Sequence, residues 1–215
     1  MPRRPSPEIR RALIERAAEL LARREPVTTR ALVAGTGAST MAVYTYFGGM
    51  DGLWRAVRQE GFSRLAARMA EVEPSSDPVR DMVRLSAAFF VNALDQPDLY
   101  RVMFDAEVDL SDPAAAAASF ELLVDAARRA IAEGRFDRRT DPVDLITRWW
   151  AFGHGLLSLV VAGVLPVEAV DRHLVPTATA LLVAVGDDPA RCARSVKAGW
   201  RSFSVPDGRG RSGSG

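Results

Sequence analysis

Apolar positions recur at intervals of three and four along most of the chain, and no segment alternates apolar and polar residues with β-branched side chains. This spacing predicts an all-α protein. Ser6-Pro7-Glu8 reads as an N-cap with proline at the first helical position, after which Ile9, Leu13, Ala17, Leu20 and Leu21 line one face of a first helix ending near Pro26. Thr28 or Thr29 can cap a short second helix in TRALVAGT, with Leu32 and Val33 inward. Gly37 supplies the positive φ of a tight helix-to-helix corner, and Ser39 is expected to cap a third helix running to about Tyr46. GGMDG at 48–52 breaks the pattern before Leu53, Trp54, Val57, Phe62 and Leu65 carry a longer fourth helix to the turn EPSSDP at 73–78.

Beyond that turn five or six more helices are expected, punctuated at Pro97, Pro113, Gly134 with Asp141-Pro142, Pro166, and Asp187 to Pro189. DPAAAAAS at 112–119 starts one of them. Residues 204–215, rich in glycine and serine without apolar periodicity, are expected to be a disordered tail. The longest apolar stretch, WWAFGHGLLSLVVAGVL at 149–165, falls short of the ~18 to 20 residues of a membrane span and contains His154 and Ser158. It reads as a buried helix, so no membrane partner is expected.

The segment GTGAST at 35–40 invites two readings. A phosphate-cradling loop needs a hydrophobic strand directly before its glycines, and its P-loop form needs Gly-Lys-Ser/Thr. The preceding VTTRALVA fits a helix better, and Ala38 precedes Ser39 where the lysine is required. A helix-turn-helix needs a short helix, a turn containing glycine, and a second helix whose outward residues can approach base edges in a groove about 12 Å wide. Thr40, Met41 and Thr45 fall on that outward face, with Val43, Tyr46 or Phe47 available to pin the helix inward. Threonine can hydrogen-bond a base, and its methyl, like Met41, can touch a thymine methyl.

Composition narrows the class. In 215 residues, 48% hydrophobic and 26% charged, a folded core is affordable. The net charge of +1 conceals an asymmetry: residues 1–70 hold twelve arginines against six acids, for +6, leaving −5 for residues 71–215. A basic half suits a polyanion partner. A protein coating DNA without sequence preference would be basic throughout, which the acidic half opposes. Cys192 is the single cysteine, so no intrachain disulfide or cysteine-built zinc site can form, and a reducing, cytoplasmic setting is expected. The basic start MPRRPSPEIRR lacks the apolar run of a secretory signal. With two histidines, 154 and 173, and no motif joining a nucleophile to a base, neither an enzyme nor a metal or cofactor site is expected.

TTRALVAGTGASTMAVYTYFGGMDGLWRAV, residues 28–57, resembles the DNA-binding segment of the TetR family of bacterial transcriptional regulators, with Gly37, Ser39, Val43, Tyr44, Tyr46, Phe47 and Leu53 in register. Three positions depart from the family's habits: Val33 stands where alanine is common, Met50 where lysine is common, and Thr45 near a usual histidine. A phosphate contact from position 50 is therefore in doubt, and Arg30, Arg55 or the Arg3-Arg4 arm can replace it. RWWAFGHGLLSL at 148–159 is similar to the Trp-x-x-x-His-Gly signature of one C-terminal subgroup, with Trp150, His154 and Gly155 in register.

The resemblance implies a three-helix DNA-binding domain over 1–50 and a helical ligand-binding and dimerisation domain over 51–203. It implies a homodimer on a palindromic double-stranded DNA operator, released by a small-molecule effector, with repression or activation both open. The residues it places at DNA are Thr28, Thr29, Arg30, Ser39, Thr40, Met41, Ala42, Tyr44, Thr45 and Tyr46. Candidate ligand contacts are Phe89, Phe90, Met103, Phe104, Phe120, Trp149 and Phe152, with His154 as a lone polar group; aromatic residues at helical spacing also serve simply as core. The helices near 141–164 and 167–185 are the expected dimer surface.

Overall fold

The computed structural model describes residues 6–105, 110 and 112–201; Arg3, Arg4 and the tail at 204–215 lie outside the described residues. Among the described residues there are ten helices and no strand. They are α1 (Pro7–Ala22), α2 (Thr29–Val33), α3 (Met41–Phe47), α4 (Met50–Ala70), α5 (Pro78–Asp95), α6 (Pro97–Met103), α7 (Ala114–Ala132), α8 (Pro142–Val161), α9 (Glu168–Val183) and α10 (Pro189–Arg201). The all-α expectation holds, and the breaks fall at the prolines and glycines that announce them. No helix among the described residues is long and apolar enough to cross a membrane.

Helix starts have local causes. Thr28 Oγ1 accepts from the Ala31 amide at 3.2 Å, which decides between the two threonines ahead of α2. Asp77 Oδ1 accepts from the amides of Val79 and Arg80, both at 3.1 Å. Asp112 caps α7 through Ala114 at 2.9 Å, and Asp141 caps α8 through Val143 at 2.8 Å. Each carboxylate satisfies amides that lack an intrahelical partner and lies at the positive end of the helix dipole.

Two starts depart from the sequence reading. Ser6 occupies the cap position of α1, but its hydroxyl bonds the Glu8 carboxylate instead of a backbone amide. That bond is the main cause holding the Glu8 carboxyl below its ordinary value. Thr40, not Ser39, is the cap residue of α3 and makes no side-chain cap bond; Ser39 contributes its carbonyl, which accepts from Ala42 N at 2.8 Å. Pro176 lies inside α9 without ending it, at an exposed position where the carbonyl deprived of its amide can be hydrated.

The chain forms two compact units. Among the described residues, the first comprises those within 1–66 and 96–117, and the second those within 67–95 and 118–215. Most of α4 and all of α6 thus group with α1–α3, whereas the division at residue 50 expected from the sequence follows the motif alone. In the first unit Leu13, Ala17, Leu32, Val43, Leu53 and Val57 are wholly buried; such burial is worth roughly 1.5 to 3 kcal/mol for each large apolar side chain. α6 joins this unit through Arg58 Nε, which donates to the Met103 carbonyl at 2.8 Å, and through Phe104, whose ring lies 5.5 Å from Phe62.

In the second unit Met82, Val83, Val124, Ile146, Leu157, Val170, Leu182 and Val196 form the core. A polar network crosses it. The buried Arg135 guanidinium donates to both oxygens of Asp187, at 2.9 and 2.7 Å, and to Asp77 at 2.8 Å. Ser195 Oγ donates to the other Asp77 oxygen at 2.6 Å. This ties the start of α5 to α10 and to the connections before α8 and α10. α10 also lies in backbone contact with α5, since a Cβ on Gly199 would come within 2.7 Å of the Arg80 carbonyl oxygen.

Candidate nucleic-acid interface

The segment between α2 and α3 closes on itself. Thr36 bonds the Val33 carbonyl through its amide at 3.1 Å and its hydroxyl at 2.9 Å, and the Ala38 amide donates to Thr36 Oγ1 at 3.3 Å. Gly37 then takes φ +70, a left-handed conformation that glycine adopts without the cost of a Cβ. Among the described residues no strand precedes Gly35, so the phosphate-loop geometry is absent there and a helix-turn-helix stands in its place.

α1 holds both short helices. Arg16 Nε donates to the Ala31 carbonyl at 3.4 Å, and Arg10 places its guanidinium 5.5 Å from the Phe47 ring. The Ser6 amide donates to the Tyr46 hydroxyl at 2.7 Å. Leu32 and Val43 are fully buried between these elements. With that face fixed, α3 turns the opposite face to water: Met41 is 64% exposed and Tyr44 59%, and Ser39, Thr40 and Thr45 are exposed beside them. An exposed methionine and tyrosine side by side on one short helix are the unusual feature of this unit, because large apolar surface usually goes inward.

Two residues expected at DNA are placed otherwise. Ala42 is buried, because it shares the inward face of α3 with Val43, and Tyr46 is half-buried with its hydroxyl bonded to α1. Thr28 is occupied as a cap; Thr29 is half-buried and Arg30 exposed at the start of α2. Arg55 is exposed on α4.

The candidate ligand residues divide between the units. Met103 and Phe104 lie in the first, where Phe104 packs 5.0 Å from Tyr100. Phe89, Phe90, Phe120, Trp149, Phe152 and His154 lie in the second. Phe90 and Trp149 are buried in helix packing: the Phe90 ring stands edge-on to Trp200 at 5.7 Å, and Trp149 Nε1 donates to Ser86 Oγ at 2.7 Å. Phe89, Phe120 and Phe152 are half-buried. His154 is not a lone polar group. Its ring stacks on Trp150 at 5.2 Å, its Nε2 is 3.4 Å from Ser158 Oγ, and burial pushes its pKa down from the ordinary value.

Comparison with known proteins places this geometry. The family model described as tetracyclin repressor-like, C-terminal domain, matches residues 82–185. No curated protein sequence matches the chain. Among solved structures, a protein with unknown function from Rhodococcus sp. RHA1 superposes with a TM-score of 0.65 at 21% identity, over 95% of this chain and 100% of that one. The TetR family protein CprB from S. coelicolor A3(2) does so with 0.63 at 22%, over 90% and 96%. RolR in complex with the ligand resorcinol gives 0.59 at 21%, over 93% and 95%.

The fold is that of the TetR-family transcriptional regulators. In this TetR-type fold α1–α3 form the helix-turn-helix bundle, followed by a C-terminal helical bundle.

Two contacts that shape the first unit were not read from the sequence. Gly52 lets the start of α4 meet the end of α3, since a Cβ there would lie 1.7 Å from the Phe47 carbonyl oxygen. The three glycines of GGMDG signalled a break but not this contact. The Ser6–Tyr46 bond spans 40 residues, and no local pattern announces it.

Proposed function

We propose that the chain is a sequence-specific transcriptional regulator, a repressor that binds a palindromic operator as a homodimer and leaves it when a small molecule occupies the second unit. The observation that carries this reading is the α2–turn–α3 arrangement, which presents Thr40, Met41, Tyr44 and Thr45 to solvent from a helix pinned on its other face. Two-fold symmetry would match inverted half-sites about 34 to 36 Å apart. Exposed Arg30 and Arg55 suit the phosphate backbone, which supplies affinity, while α3 supplies discrimination.

Val143, Trp150 and Leu159 remain exposed along α8, which supports α8 with α9 as the pairing surface. RolR was solved with resorcinol, and that supports a small-molecule effector for this chain as well. Trp150, His154 and Gly155 support placement in the Trp-x-x-x-His-Gly subgroup. A ligand releases DNA only if it prefers the form of the dimer whose recognition helices are wrongly spaced.

Selection of bound duplexes from random oligonucleotides, with the mass in solution measured alongside, tests the proposal. Inverted repeats and twice the 23.3 kDa chain mass are expected. Repeating the titration with resorcinol and other small aromatics as probes tests release. A chain that binds all duplexes alike overturns the operator reading.

A further inference from the structure

We propose that α3 identifies its half-site through the 5-methyl groups of thymines, touched by Met41 and Thr45, and not through paired hydrogen bonds to guanine, adenine or cytosine. This rests on the operator reading above and deepens it. Residues 31–50 contain no Arg, Lys, His, Asn, Gln, Asp or Glu. Those side chains make the two-pronged contacts to base edges: Arg and Lys to guanine, Asn and Gln to adenine, Asp and Glu to cytosine. The charged residues that bound the stretch, Arg30 and Asp51, lie on α2 and α4. The helix placed to enter the groove therefore has none of this two-pronged base-reading chemistry.

What it offers instead is apolar. Met41 is 64% exposed and has Thr45 one turn further on. Thr45 Oγ1 donates its single hydrogen to the Met41 carbonyl at 3.0 Å. With that hydrogen engaged, Thr45 brings no donor to the acceptors at guanine O6 and N7, adenine N7 or thymine O4, and its methyl is what remains to present. Residues four apart on a helix are neighbours, so Met41 and Thr45 form one patch. The apolar group that a base edge displays in the major groove is the thymine methyl, and covering it while burying Met41 removes apolar surface from water on both sides. The exposed hydroxyls of Ser39, Thr40 and Tyr44 both donate and accept, so each can add a single bond at one position but none makes the two-pronged contact that fixes guanine, adenine or cytosine.

The test uses the full chain and a duplex selected as above. Each thymine is replaced in turn by deoxyuridine, which lacks only the 5-methyl, and each guanine by 7-deazaguanine, which lacks N7. Uracil at one or two positions of each half-site is expected to weaken binding about fourfold per methyl removed, with 7-deazaguanine nearly neutral. Met41→Ala, at an exposed site that leaves folding intact, is expected to erase the uracil effect at one position, and Thr45→Ser, which keeps the hydroxyl and drops the methyl, at another. A duplex that tolerates uracil throughout but is weakened by 7-deazaguanine overturns the methyl reading while the operator reading stands. Uracil sensitivity unchanged in both variants overturns the assignment to these two residues. Failure to recover any preferred sequence overturns the operator reading itself, and this inference with it.

Discussion

The Tyr46 hydroxyl, in the last turn of α3, accepts a 2.7 Å hydrogen bond from the backbone amide of Ser6 at the start of α1. Beside it the Arg10 guanidinium lies 5.5 Å from the Phe47 ring. The orientation of α3 is thus set by α1 as well as by the turn before it. Tyr46→Phe keeps the ring and removes the acceptor, leaving a part-buried amide unpaired at a net cost of about 1 kcal/mol. Denaturant unfolding should register that loss, and a binding titration should show weaker binding with unchanged base preference. If the preference shifts instead, Tyr46 touches a base.

Gly52→Ala is expected to be far more damaging. The added carbon would lie 1.7 Å from the Phe47 carbonyl oxygen and 2.8 Å from its carbon, and both are backbone atoms that no rotamer change can move aside. α3 reaches α4 through Gly48 at φ +72 and Gly49 at φ +129, so the two helix ends meet at backbone contact. Forcing them apart should cost about 1 to 3 kcal/mol and abolish operator binding. Hydrogen exchange should rise across 40–60 and stay unchanged in α8–α10; protection retained over 40–60 would show that the junction has room.

The helices were legible because their signals are local. Apolar spacing, proline at the first helical position and an acid or threonine just before it mark several of the starts within a few residues, and Thr28, Asp141 and Pro142 do what their positions suggest. Ser39 misled because a hydroxyl in the right place marks a cap in sequence, while the turn here carries the cap position on to Thr40. Contacts between distant residues were not legible. Nothing near Phe90 foretells the Trp200 ring, and nothing near Arg135 foretells Asp77 and Asp187. The aromatic positions read as ligand contacts show the same limit, since core and pocket share one periodicity.

The carboxyls of Asp77 and Asp81 make the second unit sensitive to acid. Burial by itself would raise the Asp77 carboxyl, but the Ser195 hydroxyl, the Arg80 amide and Arg135 outweigh it and hold the group below its ordinary 3.8. At Asp81 burial is likewise outweighed, chiefly by Arg129 and Ser75. A carboxyl lowered on folding contributes stability that is fully present above its unfolded value and is lost as pH falls through the folded one. Unfolding free energy should therefore fall in two stages as pH drops, first below about 6.5, where unfolding lets the half-buried His154 imidazole take up a proton, and again below about 4 as Asp77 and Asp81 protonate. Arg135→Met leaves the buried Asp187 with Arg191 at 3.2 Å as its remaining ion pair. That should cost about 3 to 5 kcal/mol at pH 7, read by urea unfolding. A variant as stable as the parent would mean that the network contributes nothing net.

Thr40 and Arg55 should fail in different ways. Thr40 is exposed beside Met41 at the start of α3, and Arg55 is exposed on α4. A base contact acts at one operator position, so Thr40→Ala should lose about 1 kcal/mol on the selected duplex and relax the preference at that position. A phosphate contact is blind to sequence. Arg55→Ala should weaken selected and unrelated duplexes by the same factor and lower the slope of log affinity against log salt by about 1 per protomer. Titrations of both variants on both duplexes at two salt concentrations separate the roles. A uniform loss from Thr40→Ala would assign its hydroxyl to the backbone, and a change of base preference from Arg55→Ala would bring α4 to the groove floor.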